Sequence, residues 1–384
     1  MATILIIAHT PRGTGFGKIA IGIANALSLQ HEVNLIGVGH ARASNLWQGI
    51  EANQDDIGCT TALRNWLRSN NTDILLLVGV NTLIAWQAER VRKDGFTGIL
   101  IAYVPVEGPI YNSDRLQGLR SCTEVVAYHA TAAEDLTNVL GKSCIVSWIY
   151  HGIHKNPVAI ISRPALRKKL LSVAENHLDR VWMLNANRND DRKCPELTLR
   201  AFAEIVPKFP NTTLVMHCNP SRPGVNLRVE RDRLRLQDNV IFTKDIFSGS
   251  WSDEQIGDLY SCCEIGINSA LGEGWGLIPF EHALRGGAQI LPAHAGLLEI
   301  WEEIPKWVPV RKPKALDAVS LGQIPDSDAL ASAMLSFLQD PVVRSQNAVA
   351  CGIHASKKRF NWNTINKQWQ ALILKLLKEN KKSL

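Results

Sequence analysis

Two glutamates eight positions apart, Glu273 and Glu281, bracket a glycine-rich run: Gly272-Glu273-Gly274-Trp275-Gly276-Leu277-Ile278-Pro279-Phe280-Glu281. Carboxylates accept hydrogen bonds from vicinal hydroxyls such as those of a ribose. A chain that turns on glycines presents backbone N–H groups to phosphate. Pro279 suits the first turn of a helix, which predicts a short helix over 279–285 with Glu281 in that turn, where the helix dipole favours an anion. The chemistry implied is recognition of a polyol that carries phosphate. Paired carboxylates also serve glycoside hydrolysis. Here both come from one short segment, so holding two parts of one ligand is the simpler reading. A helix-capping Glu beside an exposed loop Glu is the plain alternative.

A second candidate is Asn185-Ala186-Asn187-Arg188-Asn189-Asp190-Asp191-Arg192-Lys193. Two or three cations in one loop can grip a diphosphate, each charge-assisted hydrogen bond contributing roughly 1.5–3 kcal/mol where water is partly excluded. The competing reading is a solvated basic loop. The third candidate is Gly13-Thr14-Gly15-Phe16-Gly17, with His9 just before it. It completes neither the dinucleotide fingerprint, because position 18 is Lys, nor a P-loop. A tight strand-to-helix turn explains it equally well.

The elements that must position these residues alternate between strand and helix. Apolar runs at Ile4–Ala8, Val33–Val38, Ile74–Val80, Ile99–Val104, Val125–Ala127 and Ser143–Ile149 read as buried parallel strands, with a helix over Ile19–Leu29. A polar, proline-containing stretch at 154–164 reads as a linker, after which the alternation restarts. Strands are expected at Val181–Asn185, Thr213–His217, Val240–Phe242, Ile265–Asn268 and Gln289–Leu291. Helices are expected at Pro195–Val206, Ser327–Leu338 and Asn363–Leu377, and Ser252-Asp253-Glu254-Gln255 has capping-box spacing. The prediction is an α/β chain of two Rossmann-like, doubly wound domains facing across a cleft. The first spans 1–158 and is completed by a C-terminal helix within 360–384 that packs back on it. The second spans 165–355. Trp362 and Trp369, seven apart, share one face of that last helix. Asp326-Ser327-Asp328 has a metal-binding spacing, but its place before a helix makes it an N-cap.

At 384 residues the chain suits two cores, and 46% hydrophobic with 20% charged residues describes a globular protein. No apolar run reaches membrane-span length, and the N-terminus runs straight into a strand without a basic leader. The eight cysteines are scattered without Cys-x-x-Cys spacing, which fits a reduced, cytoplasmic protein. The net charge of +6 includes a tail of Lys375, Lys378, Lys381 and Lys382. A solvated helix face accounts for it, and contact with an anionic surface, peripheral to a membrane, is the functional alternative.

These residues together resemble the retaining glycosyltransferases of family 4, which have the GT-B architecture. The segment from Glu273 to Glu281 is similar to that family's Glu-x7-Glu motif, and Arg188 and Lys193 match its diphosphate-binding Arg and Lys. Ile149-Tyr150-His151-Gly152-Ile153 resembles its Ile-Pro-His-Gly-Val, and 11–17 resembles its first glycine loop. The resemblance runs from Ile4 to about Trp369. It implies that Arg188, Lys193 and Glu273 are catalytic, stabilising the leaving diphosphate and the sugar. Glu281 would hold the ribose. The backbone of Gly274, Trp275, Gly276 and Leu277 would hold sugar and phosphates, and Gly15, Phe16 and Gly17 would approach from the other domain. The base would lie near Lys244–Phe247, and neither metal nor cofactor is expected. The family's histidine after the fourth strand of the first domain is absent here. Glu107, with His9, would then take the sugar- or acceptor-facing role. The partner implied is a nucleotide-sugar donor, with a glycan, lipid-linked, small-molecule or nucleic-acid acceptor. A nucleotide-sugar epimerase or hydrolase on the same fold, and a non-catalytic basic binder, are the alternatives.

Overall fold

The computed structural model describes residues 1–8, 14–38, 45–154, 161–171, 175–222, 225–247 and 249–383. The chain divides into two compact units. One is Met1–Gly152 with Asp317–Ser320 and Lys358–Leu384; the other is Ile153–Leu316 with Leu321–Lys357. Most of the stretch expected to be a linker, 155–160, lies outside the described residues.

Among the described residues the first unit carries seven strands: β1 (Thr3–Ala8), β2 (Glu32–Gly37), β3 (Gln48–Glu51), β4 (Ile74–Val78), β5 (Ile99–Val104), β6 (Glu124–Ala127) and β7 (Val146–Trp148). Their order is β3-β2-β1-β4-β5-β6-β7, and all neighbours run parallel. Helices α1 (Gly15–Leu27), α2 (Thr60–Ser69), α3 (Asn81–Lys93) and α4 (Ala130–Leu140) join them. The run Ile-Leu-Leu-Leu-Val of β4 is buried at every position. An unbroken apolar run is what a central parallel strand requires, because helices cover both of its faces.

The C-terminal helix Trp362–Ser383 belongs to this unit. Trp369 is fully buried with its ring edge-on to Tyr103 at 5.0 Å, and Gln370 Nε2 donates to the Ala26 carbonyl at 3.1 Å. Trp362 fits because Gly22 of α1 and Gly152 lack side chains. A Cβ at those positions would fall 2.0 and 2.2 Å from its ring. With roughly 200 Å² buried per tryptophan, each ring contributes at most about 5 kcal/mol. The sequence expectation of a second domain over 165–355 included Asp317–Ser320, but these four residues group with the first unit. Val319 is buried in this unit's core, and its carbonyl accepts from the backbone N–H groups of Tyr111 and Asn112.

The second unit carries β8 (Val181–Asn185), β9 (Thr212–Met216), β12 (Val240–Phe242), β13 (Ile265–Ile267), β14 (Ala288–Pro292) and β15 (Lys306–Val308) in one parallel sheet, ordered β12-β9-β8-β13-β14-β15. Two small ribbons flank it: β10 (Ser221–Arg222) with β11 (Val225–Asn226), and β16 (Val310–Ala315) with β17 (Leu321–Pro325). The helices are α5 (Arg163–Leu171), α6 (Pro195–Ile205), α7 (Leu227–Arg233), α8 (Thr243–Ile246), α9 (Asp253–Cys262), α10 (Leu277–Ala283), α11 (Ala295–Trp301), α12 (Ser327–Gln339) and α13 (Pro341–Ala355). The capping box at Ser252 and Gln255 is formed. Asp326 caps α12, its Oδ1 accepting from the N–H groups of Asp328 and Ala329 at 3.0 Å each. The Asp-x-Asp spacing is thus a helix start. No helix among the described residues is long and apolar enough to cross a membrane.

Candidate functional site

In the second sheet the direction of winding reverses between β8 and β13, so the loops leaving their carboxyl ends diverge there. Such a switch point leaves a crevice at the strand ends, where ligands of open α/β sheets bind. The two loops are 186–194, which carries the basic cluster, and 268–276, which carries Glu273.

These loops are tied together by buried polar side chains. Asn185, at the end of β8, donates from Nδ2 to Thr198 Oγ1 at 2.8 Å and to Ser269 Oγ at 3.2 Å. Ser269 Oγ donates to the carbonyls of Lys193 and Cys194, and the Leu271 N–H donates to the Arg192 carbonyl at 2.7 Å. Lys193 is anchored in turn, its N–H donating to Asp190 Oδ1 at 2.9 Å. Pro195 then opens α6, where the missing N–H costs nothing.

Lys193 Nζ lies 2.5 Å from Glu273 Oε1, and Arg192 Nη1 lies 3.6 Å from Glu273 Oε2. Asn268 Nδ2 donates to Glu273 Oε1 at 3.0 Å. Glu273 is 5% exposed and Lys193 8%. Burial pushes the Glu273 carboxyl up, but Lys193 and then Arg192 override it and bring it down to about 2. The result is a buried, ionised carboxylate beside two cations, a combination that can accept from hydroxyls and attract an anion.

Arg188 is placed differently. Its side chain is 74% exposed and pairs with Asp190 Oδ2 at 3.2 Å. Arg192 is the arginine that approaches Glu273. It lies inside the same basic stretch, where the family resemblance points to Arg188 and Lys193 instead. Asn268 was hidden as the last residue of an expected strand; a polar residue ending an apolar strand at the switch point is the signal that could have revealed it.

Helix α10 begins at Leu277, two residues earlier than expected, because Gly276 adopts φ 81°, a left-handed conformation that starts the helix at once. Glu281 is therefore the fifth residue of a seven-residue helix, and the expectation that it sits in the dipole-favoured first turn is corrected. Its Oε2 accepts from Tyr260 Oη at 3.2 Å. Gly274 and Gly276 are buried, and the Trp275 ring stacks on Phe280 with centroids 5.5 Å apart and planes at 13°. Trp275 is thus a packing residue that fixes the glycine turn against α10. Near the expected base position, Lys244 Nζ donates to the Gly249 carbonyl at 3.3 Å. His217 Nδ1 and Thr243 Oγ1 are 2.9 Å apart, and burial, then Lys244, lowers the His217 pKa to about 4.

The remaining candidates belong to the first unit. Gly15, Phe16 and Gly17 form the first turn of α1, whose cap Thr14 accepts from the Gly17 N–H at 3.3 Å. Glu107 follows the carboxyl end of β5, partly buried, and its charge helps raise the Tyr128 pKa after burial itself. His9 lies outside the described residues.

No protein-family model matches the chain, and a search of curated proteins finds no match. Solved structures do match along its full length. Sucrose-phosphate synthase from Thermosynechococcus elongatus superposes with a TM-score of 0.78 at 18% identity, covering 99% of this chain and 100% of that one. Anabaena HepE in complex with UDP-glucose gives 0.74 at 15% identity, covering 98% and 100%. A glycosyltransferase from Rickettsia africae gives 0.70 at 17% identity, covering 98% and 99%. At these identities the likeness is one of fold, and that fold is the GT-B class with its two doubly wound α/β units.

Proposed function

We propose that this chain is a retaining glycosyltransferase that moves a sugar from a nucleotide-diphosphate donor to an acceptor hydroxyl, without a metal ion. The observation that carries the reading is the buried Lys193–Glu273 pair, with Arg192 beside it, at the switch point of the second sheet. The likeness to the HepE complex with UDP-glucose supports a nucleotide sugar as donor.

In this reading the bond between the anomeric carbon and the diphosphate oxygen breaks, and its electron pair leaves on the diphosphate. Lys193, Arg192 and Arg188 stabilise the charge that develops there, where preorganised cations contribute most to rate. Glu273 holds a sugar hydroxyl. The acceptor oxygen bonds to the anomeric carbon on the face the diphosphate leaves, and its proton passes to the departing phosphate. Glu281 binds the ribose diol, since a carboxylate has capacity beyond its bond from Tyr260. Gly274–Leu277 offer backbone to sugar and phosphate, with Gly15, Phe16, Gly17, Glu107 and His9 on the other unit serving diphosphate, sugar or acceptor. The tail lysines suit an anionic surface carrying a lipid-linked acceptor, although Lys375 Nζ already lies 3.3 Å from Glu124 Oε2.

A thermal-shift panel of nucleotide sugars, run with a chelator, tests this. A donor at a hundred times its Kd stabilises by about 2.7 kcal/mol. NMR of the product then reads its anomeric configuration. Stabilisation by no nucleotide sugar, inversion, or rearranged or free sugar released from donor alone would each count against the proposal.

A further inference from the structure

The turn that carries Glu273 is held from a third direction. Strand β14 lies beside β13, and two residues past its end comes His294, 2% exposed. Its Nε2 lies 2.7 Å from the Ala270 carbonyl. A carbonyl only accepts, so Nε2 carries the proton and Nδ1 holds the lone pair. Nδ1 has no hydrogen-bond partner among the described residues.

The Ala270 residue is gripped at both of its backbone groups. Its carbonyl takes the His294 proton, and its N–H donates to Asn268 Oδ1 at 2.8 Å. That second bond decides which way the Asn268 amide faces. With Oδ1 on Ala270, Nδ2 is directed to Glu273 Oε1 at 3.0 Å. A short relay thus runs from His294 through Ala270 and Asn268 to the buried carboxylate. Each link in it is a donor matched to an acceptor, and a reversal of the Asn268 amide would set donor against donor at Ala270.

We infer that His294 is a positioning residue for Glu273, acting through Ala270 and Asn268. The role is distinct from sugar or diphosphate contact. Its kinetic consequence rests on the glycosyltransferase reading; its structural consequence does not. Burial favours the neutral ring and Lys193 adds to this, against the Ala270 carbonyl and Glu273. The ring is therefore a single-proton donor in a fixed tautomer.

Two variants test the relay. His294→Leu removes the donor and strands the Ala270 carbonyl. His294→Gln keeps an N–H donor at nearly the same reach. Protein labelled with ¹³C at glutamate carboxyls, with Glu273→Gln to assign the resonance, reports the Glu273 titration directly. In the wild type and in His294→Gln the carboxylate stays ionised down to about pH 3, whereas in His294→Leu it titrates above that. Loss of folded protein would lower the signal without moving its midpoint. On the donor that binds, His294→Leu lowers kcat by about 10- to 100-fold, as expected when a reacting-site group is displaced by about an ångström, and His294→Gln recovers most of it. If His294→Leu does not fold, Asn268→Ala must give the same Glu273 shift. A wild-type titration in His294→Leu or in Asn268→Ala overturns the inference, as does a Gln variant no better than the Leu variant. If the wild type turns over no nucleotide sugar, the functional reading fails while the carboxyl titration still decides the relay.

Discussion

Replacing Lys193 with alanine removes the ammonium 2.5 Å from Glu273 Oε1 and leaves a buried carboxylate with Arg192 at 3.6 Å and Asn268. Burial alone would raise that carboxyl. Its descent from 4.5 to about 2 is the work of Lys193 first and Arg192 second. A depression of this size corresponds to about 3 kcal/mol of native-state stabilisation. Because the folded value lies below the unfolded one, the contribution is fully present above about pH 4.5 and is lost as pH falls towards about 2. In Lys193→Ala the sign reverses: burial meets less opposition, the carboxyl rises, and the stranded anion is penalised until it takes up a proton. Urea unfolding should therefore show the variant at least about 3 kcal/mol less stable than the wild type near pH 7, with a smaller gap near pH 4, where the variant's carboxyl takes up a proton, and a further narrowing as pH falls towards about 2. A gap equal at both pH values, or no gap at neutral pH, would refute the claim that the pair is buried and mutually dependent.

Glu281→Ala should raise the donor Kd about tenfold in calorimetry, with a smaller effect on stability, because the side chain is only partly buried and its observed partner is Tyr260. Gly22→Ala should destabilise the first unit by about 1–3 kcal/mol in thermal unfolding, since the new Cβ would meet the Trp362 ring at 2.0 Å. Gly95→Ala tests a different cost: no atom lies within 4 Å of its added Cβ, so any loss comes from φ 94° alone.

Much of the fold was legible because parallel strands must be apolar on both faces. Ile74–Val78 and Ile99–Val104 announce themselves as unbroken hydrophobic runs, and Ser252 with Gln255 marks a helix start by chemistry local to four residues. Such signals need no knowledge of distant parts of the chain. The start of α10 was misplaced because Pro279 is compatible with more than one position in a first turn, and only the left-handed φ of Gly276 fixes which. Asp317–Ser320 could not be assigned to the first unit from sequence, since what puts it there is the burial of Val319 against residues some two hundred positions away.

The same division holds at the candidate site. The amino-acid sequence determined the types of group available: two glutamates around a glycine turn, and arginines with a lysine after a strand. It also determined that these segments sit at strand ends, because the apolar runs stop just before them. Which groups meet was decided by the strand order. Placing β8 beside β13 brings Lys193 and Arg192, 80 or so residues from Glu273 in the chain, against one carboxylate, while Arg188 turns to Asp190. Charge at that separation has no local signature. Its consequence, a carboxylate held at about 2 although burial opposes it, exists only once the sheet has excluded water from the pair.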